Sequence, residues 1–84
     1  MREIACTITD PLGLHIQLAV LLAGEAERWR SHVTLTHAGR TVDAKQLMEL
    51  LTLGVRTGER VSVQVDGPDE ATAAEALASL MRTF

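Results

Sequence analysis

Three stretches of this chain alternate apolar and polar residues with a period of two, and nothing else in it constrains the fold as tightly. In residues 3–8, Ile4, Cys6 and Ile8 share one side while Ala5 and Thr7 share the other. Residues 33–36 read Val-Thr-Leu-Thr, and residues 60–65 set Val61, Val63 and Val65 opposite Ser62 and Gln64. Successive side chains of a strand point to opposite faces, so each stretch reads as a strand with one buried side. Strands covered on both faces would be apolar throughout. The alternation therefore predicts an antiparallel sheet with one covered face and one open face.

Between these stretches the period changes. Leu18, Leu22, Ala26 and Trp29 recur at helical spacing and predict a first helix over residues 16–29. His37-Ala38-Gly39-Arg40 suits a tight reversal into Thr41-Val42, which makes a hairpin. Residues 44–51 read as a short second helix, with Asp43 placed to cap its free amides and Gly54 placed to end it. After Asp66-Gly67-Pro68-Asp69, an apolar stripe of Ala73, Ala74, Leu77, Leu80 and Met81 predicts a third helix over residues 70–82. The expected order is strand, helix, strand, strand, helix, strand, helix. With 84 residues, the chain has material for one hydrophobic core, so residues 1–84 are expected to form a single α+β domain whose helices share the covered face.

Composition removes several function classes. No apolar run approaches the roughly 18 residues that span a bilayer, and the first residues lead into strand-like sequence, so a cytoplasmic protein without membrane insertion is the default expectation. A single cysteine, Cys6, excludes an internal disulfide, lacks the neighbours of a metal cluster and reads as core. The net charge is −3, the eight basic residues are scattered, and the only aromatics are Trp29 and Phe84. Nucleic acid is therefore not an expected partner, and no cofactor or metal is expected.

The residues best placed for chemistry lie at Pro11-Leu12-Gly13-Leu14-His15, where a tight turn meets the start of the first helix. The first amides of a helix have no internal acceptors and carry partial positive charge, so they make a ready anion site. A phosphoryl group on His15 would meet the amides of Ile16 and Gln17. Imidazole is nucleophilic near neutral pH, and its phosphorylated nitrogen leaves readily, so transfer can run both ways. His32 and His37, at strand ends with no ligands at useful spacing, read as structural or surface residues. No Ser-His-Asp set or nucleotide-binding glycine loop is present.

The PLGLH stretch at residues 11–15 resembles the active loop of the histidine-containing phosphocarrier (HPr) family of the bacterial phosphotransferase system. Residues 42–48 (VDAKQLM) are similar to the opening of that family's second helix, residues 53–58 (LGVRTG) to the loop beyond that helix, and residues 65–70 (VDGPDE) to the family's turn into its last helix. The resemblance implies an open-faced β-sandwich, a four-stranded antiparallel sheet with three helices on one face. It also implies a carrier rather than a turnover enzyme. His15 would take a phosphoryl group, at Nδ1, from the first enzyme of the system, charged by phosphoenolpyruvate, and pass it to a sugar-specific or regulatory component.

This chain departs from the family pattern in three places. The family follows its histidine with a small residue, arginine and proline, where this chain has Ile16, Gln17 and Leu18. Gln17 can donate a hydrogen bond but cannot make the charge-assisted, bidentate contact of Arg with phosphate. A binding or regulatory module with little or no phosphoryl transfer is therefore the alternative reading. Gln46 occupies the position where many Gram-positive members carry a regulatory serine, so a switch through a hydroxyl cannot operate there. Finally, Ile16, Leu18 and Leu21 accompany Leu22 on the first helix, and not all of them can point inward. The resemblance implies that Leu18 and Leu21, with Leu47, Met48 and Leu51 of the second helix, dock the partner proteins.

Overall fold

The alternating stretches form strands and the periodic ones form helices. The computed structural model describes residues 1–84, in the order β1 (Arg2–Thr7), α1 (Ile16–Glu27), β2 (His32–His37), β3 (Arg40–Asp43), α2 (Leu47–Leu51), β4 (Arg60–Asp66) and α3 (Glu70–Met81). The strands make one sheet in the order β1-β4-β2-β3. Every neighbouring pair is antiparallel, with Ile4 opposite Val63, Val33 opposite Val65 and Leu35 opposite Val42. The period of two decides which face is covered. Val33, Leu35, Val42, Val61, Val63 and Val65 are buried in one cluster with Leu18, Ala19 and Leu22 of α1 and with Ala73, Leu77 and Met81 of α3. The polar set faces the other way, where the hydroxyls of Thr34 and Thr36 donate to Gln64 Oε1 at 2.9 and 3.2 Å. The architecture is the expected α+β open-faced sandwich.

Local departures from the sequence reading have identifiable causes. Helix α2 starts at Leu47, not at residue 44, because the Ala44 N–H donates to the Val33 carbonyl at 2.9 Å and stays with the sheet. Asp43 accordingly caps a turn and not the helix, its Oδ1 accepting the Lys45 N–H at 2.9 Å. Helix α1 ends at Glu27, two residues early. There Arg28 and Trp29 fold back onto the Glu25 carboxylate, with Trp29 Nε1 donating at 3.0 Å. Cys6 is half-buried instead of core, because β1 is an edge strand with no neighbour beyond it. Its thiol lies 3.4 Å from the Met81 carbonyl, and burial pushes its pKa up. The hairpin reversal is as expected: Ala38 and Gly39, at φ 49° and 84°, give the two positive dihedrals of a two-residue turn whose twist matches the strands.

Asp69, ahead of α3, ties the two halves of the helical layer together. Its carboxylate accepts the Ser31 hydroxyl, the Arg30 N–H at 2.9 Å and the Ser31 N–H at 3.0 Å, across the turn between α1 and β2. Ser31 is fully buried, and Gly67 is the residue that lets it in, since a Cβ there would come within 2.6 Å of the Ser31 Cα. The bond from the Ser31 hydroxyl, then those from the two amides, hold the Asp69 carboxyl below the usual carboxylate range. A depressed carboxyl adds stability that is present above the unfolded-state value of about 3.9 and is lost as pH falls through the lower folded-state value. Asp69→Asn is therefore expected to lower Tm at pH 7 and to flatten the acid limb of the stability curve below about pH 4. Thermal melts from pH 2 to 7 check this, and parallel curves for the two proteins would refute it.

Candidate functional site

Residues 8–14 form a loop whose own sequence does not hold it in place; contacts from two distant segments do. The Phe84 carbonyl accepts the N–H groups of both Thr9 and Asp10, at 2.8 and 2.7 Å. On the other side the Ile8 N–H donates to the Glu59 carbonyl at 2.9 Å, and the Leu14 N–H to the Val55 carbonyl at 3.0 Å. Within the loop, Asp10 accepts the Leu12 N–H on its side chain and the Gly13 N–H on its carbonyl. Gly13 has φ 69°, and a Cβ placed on it would collide with the Val55 carbonyl oxygen. No other residue type meets both demands without moving backbone.

This frame delivers His15 to the N-cap of α1, with extended dihedrals of φ −83° and ψ 177°. Its carbonyl takes the Ala19 N–H at 3.0 Å, the first bond of the helix. The imidazole makes no capping bond, and its side chain is 18% exposed, so it is sheltered but open to a partner. The amides of Ile16, Gln17 and Leu18 donate to no protein atom. Asp10 Oδ1 lies 3.5 Å from Nε2 of His15. A proton carried on Nε2 would face that carboxylate and would leave the Nδ1 lone pair free. A nucleophilic nitrogen beside three unpaired helix amides is an arrangement that can hold and release a phosphoryl anion.

Of the residues expected from the sequence, Ile16 and Gln17 stand exposed beside His15 with free amides. Leu18 is a correction: it is only 8% exposed and belongs to the core, because its position on α1 points at the sheet, so it is not available for docking. Leu21 is 51% and Met48 72% exposed, whereas Leu47 and Leu51 are half-buried against the core. Helices α1 and α2 are in contact, so the exposed apolar side chains lie on adjoining elements. Gln46 is exposed at the N-cap of α2 with an uncommitted side chain.

Several contributors escaped the sequence reading. Asp10 registered only as part of a turn, although an Asp two residues before an amide it can bind is a recognisable signal. Val20, half exposed, lines a shallow apolar depression with Ile16, Gln17 and Leu21. Phe84 and Val55 act through backbone carbonyls, which leave no trace in side-chain patterns. His37 is also corrected. It does have a carboxylate partner, Glu59, at 3.1 Å from its Nε2. His32 is exposed, as read. No helix is long and apolar enough to cross a membrane.

Comparison with known proteins places the fold and the chain's family. Residues 2–83 match the family model described as the PTS HPr component phosphorylation site. Phosphocarrier protein HPr of Xylella fastidiosa (strain Temecula1) is 38% identical over 80 residues, spanning 95% of this chain and 90% of that protein. The crystal structure of HPr-C-His from Thermoanaerobacter tengcongensis superposes with a TM-score of 0.92 at 31% identity, covering 99% of this chain and 93% of that one. A histidine-containing phosphocarrier protein from Mycoplasma does so with a TM-score of 0.94 at 29% identity, over 98% and 93% of the two chains.

Proposed function

The chain belongs to the HPr phosphocarrier family of the phosphotransferase system, and from that premise we propose that His15 receives a phosphoryl group from the system's first enzyme and hands it to a sugar-specific or regulatory component. The observation that carries the proposal is the imidazole at the N-cap of α1 beside three amides with no acceptor. In the forward step Nδ1 bonds to phosphorus as the donor's bond to phosphorus breaks. The amides of Ile16 and Gln17 take up the charge on the equatorial oxygens. The return step reverses these changes at an acceptor. Exposed Ile16, Leu21 and Met48 form the apolar part of the docking face, with the edges of Leu47 and Leu51 beneath them. Gln46 carries no hydroxyl, so this carrier escapes control by serine phosphorylation at that position.

A second reading, a binding module with weak transfer, is favoured by one observation: the first turn of α1 contains no cation, and Gln17 stands where a guanidinium would face the phosphate. A hydrogen bond to a charged group contributes about 1.5–3 kcal/mol. On this second reading Gln17→Arg raises the transfer rate by about tenfold or more, as rapid-quench kinetics with a fixed donor would show; an unchanged rate would mean that the first turn needs no charge of its own. The two readings part in one experiment. The protein is incubated with phosphoenolpyruvate and the first enzyme from the same cell, and peptides are mapped by mass spectrometry under alkaline conditions. Acid-labile phosphate on the peptide containing His15 supports the carrier. A folded protein that stays unlabelled beside an active donor supports the binding module.

A further inference from the structure

The structure brings one unpaired cation to the loop that carries His15, from a segment that is remote in sequence. The Val55 carbonyl binds the Leu14 N–H at 3.0 Å, and the next residue, Arg56, has its Cα 2.9 Å from where a Gly13 Cβ would stand. Arg56 is thus anchored by backbone against Gly13, two positions before His15. Arg56 is exposed, and its guanidinium makes no hydrogen bond or ion pair within 4.0 Å; its charge acts at longer range on the Glu59 carboxylate, one of several causes that hold that group low, and would have to turn from it toward His15.

The other basic side chains are either engaged or placed elsewhere. Arg28 pairs with Glu25, Lys45 donates to the Trp29 carbonyl, Arg40 donates to Thr52, and Arg2 lies near Glu70. Arg30 follows the far end of α1, and Arg60 shares the open face of the sheet with Ser62 and Gln64. Arg82 touches the loop only indirectly, two residues ahead of the Phe84 carbonyl.

Building on the carrier reading above, we propose that Arg56 supplies the cation that faces the phosphoryl group on His15, doing from the α2–β4 loop what Gln17 cannot do from the helix. A flexible guanidinium held at its backbone and free at its tip can swing onto an anion that arrives and leave when it departs. The acids around it are compatible with that motion. Asp10 sits on the Nε2 side of the imidazole, away from the reacting nitrogen, and Glu59 is already engaged by the Arg56 N–H at 2.7 Å and by His37 at 3.1 Å. The arrangement also accounts for a helix start with no charge of its own in a chain that keeps the rest of the site.

The test uses the full chain and a small donor, phosphoramidate, whose phosphoryl group moves to His15 as ammonia leaves, so no protein partner enters the result. The readouts are the labelling rate of His15 and the second ionisation of its phosphoryl group, followed by phosphorus NMR. Arg56→Ala is expected to slow labelling about tenfold and to raise that ionisation, because a nearby cation favours the dianion. Arg56→Lys should recover the ionisation but only part of the rate. Adding Gln17→Arg to Arg56→Ala should restore both, while Arg82→Ala changes neither.

Wild-type rate and ionisation in Arg56→Ala, or equal losses in Arg56→Ala and Arg82→Ala, would overturn the role of Arg56 and leave the carrier reading standing. Failure of wild-type His15 to take phosphate from either phosphoramidate or the first enzyme would remove both.

Discussion

His15→Ala is expected to yield a folded protein that accepts no phosphoryl group at all. The imidazole makes no capping hydrogen bond, and the bonds that shape its loop run through the backbone of Thr9, Asp10, Gly13 and Leu14. Truncating a sheltered side chain that makes no hydrogen bond is expected to cost about 1 kcal/mol, which leaves the domain folded. Transfer, by contrast, loses its nucleophile outright. The other two histidines offer no replacement, since His37 is committed to Glu59 and His32 lies at the start of β2, and neither adjoins a helix N-terminus. Urea denaturation with phosphate mapping on the same sample checks both halves. Persistent acid-labile phosphate on the variant would transfer the carrier role to another residue.

Gly13→Ala has the largest expected effect on the fold. At φ 69° an alanine is strained by about 1–2 kcal/mol, and its Cβ would also drive into the Val55 carbonyl. That oxygen is the acceptor of the Leu14 N–H, so relieving the collision breaks the bond that fixes the residue before His15. Strain and overpacking together point to a loss of about 2–4 kcal/mol, or on the order of 15 °C in Tm for a domain of this size. Transfer should fall further than stability alone explains, because molecules that remain folded carry a displaced imidazole. Comparing labelling rates at a temperature where both proteins are fully folded separates the two effects. Equal rates there would show that the loop tolerates the shift.

The alternation at residues 3–8, 33–36 and 60–65 is enough to predict the sheet, its antiparallel character and which side is covered, because period two is a local property of a strand. Strand order is not local. That β1 lies at the edge, leaving Cys6 half-buried, depends on β4 entering between β1 and β2. Helical periodicity likewise identifies α1 but cannot rank Leu18 against Leu21, which lie close together around the helix; the sheet and α3 decide it, burying one and leaving the other exposed. The start of α2 is misread because Ala44, a strong helix former, gives its N–H to Val33 eleven residues earlier. At the site, His15 and the amides after it are visible because a helix start is written in consecutive residues. The pairing of His37 with Glu59, 22 residues apart, is not, nor are the carbonyls of Val55 and Phe84.

The Phe84 carbonyl that receives Thr9 and Asp10 has a consequence for the order of events during synthesis. Thr9 and Phe84 are 75 positions apart, so a ribosome must translate the sequence from His15 through Phe84 before the histidine can reach its working position. Contacts of such long range close late on the folding pathway, after local helices and the hairpin. A nascent chain that has exposed α1 alone carries the histidine without its frame, so under the proposed carrier role phosphoryl acceptance is expected only once the domain has closed.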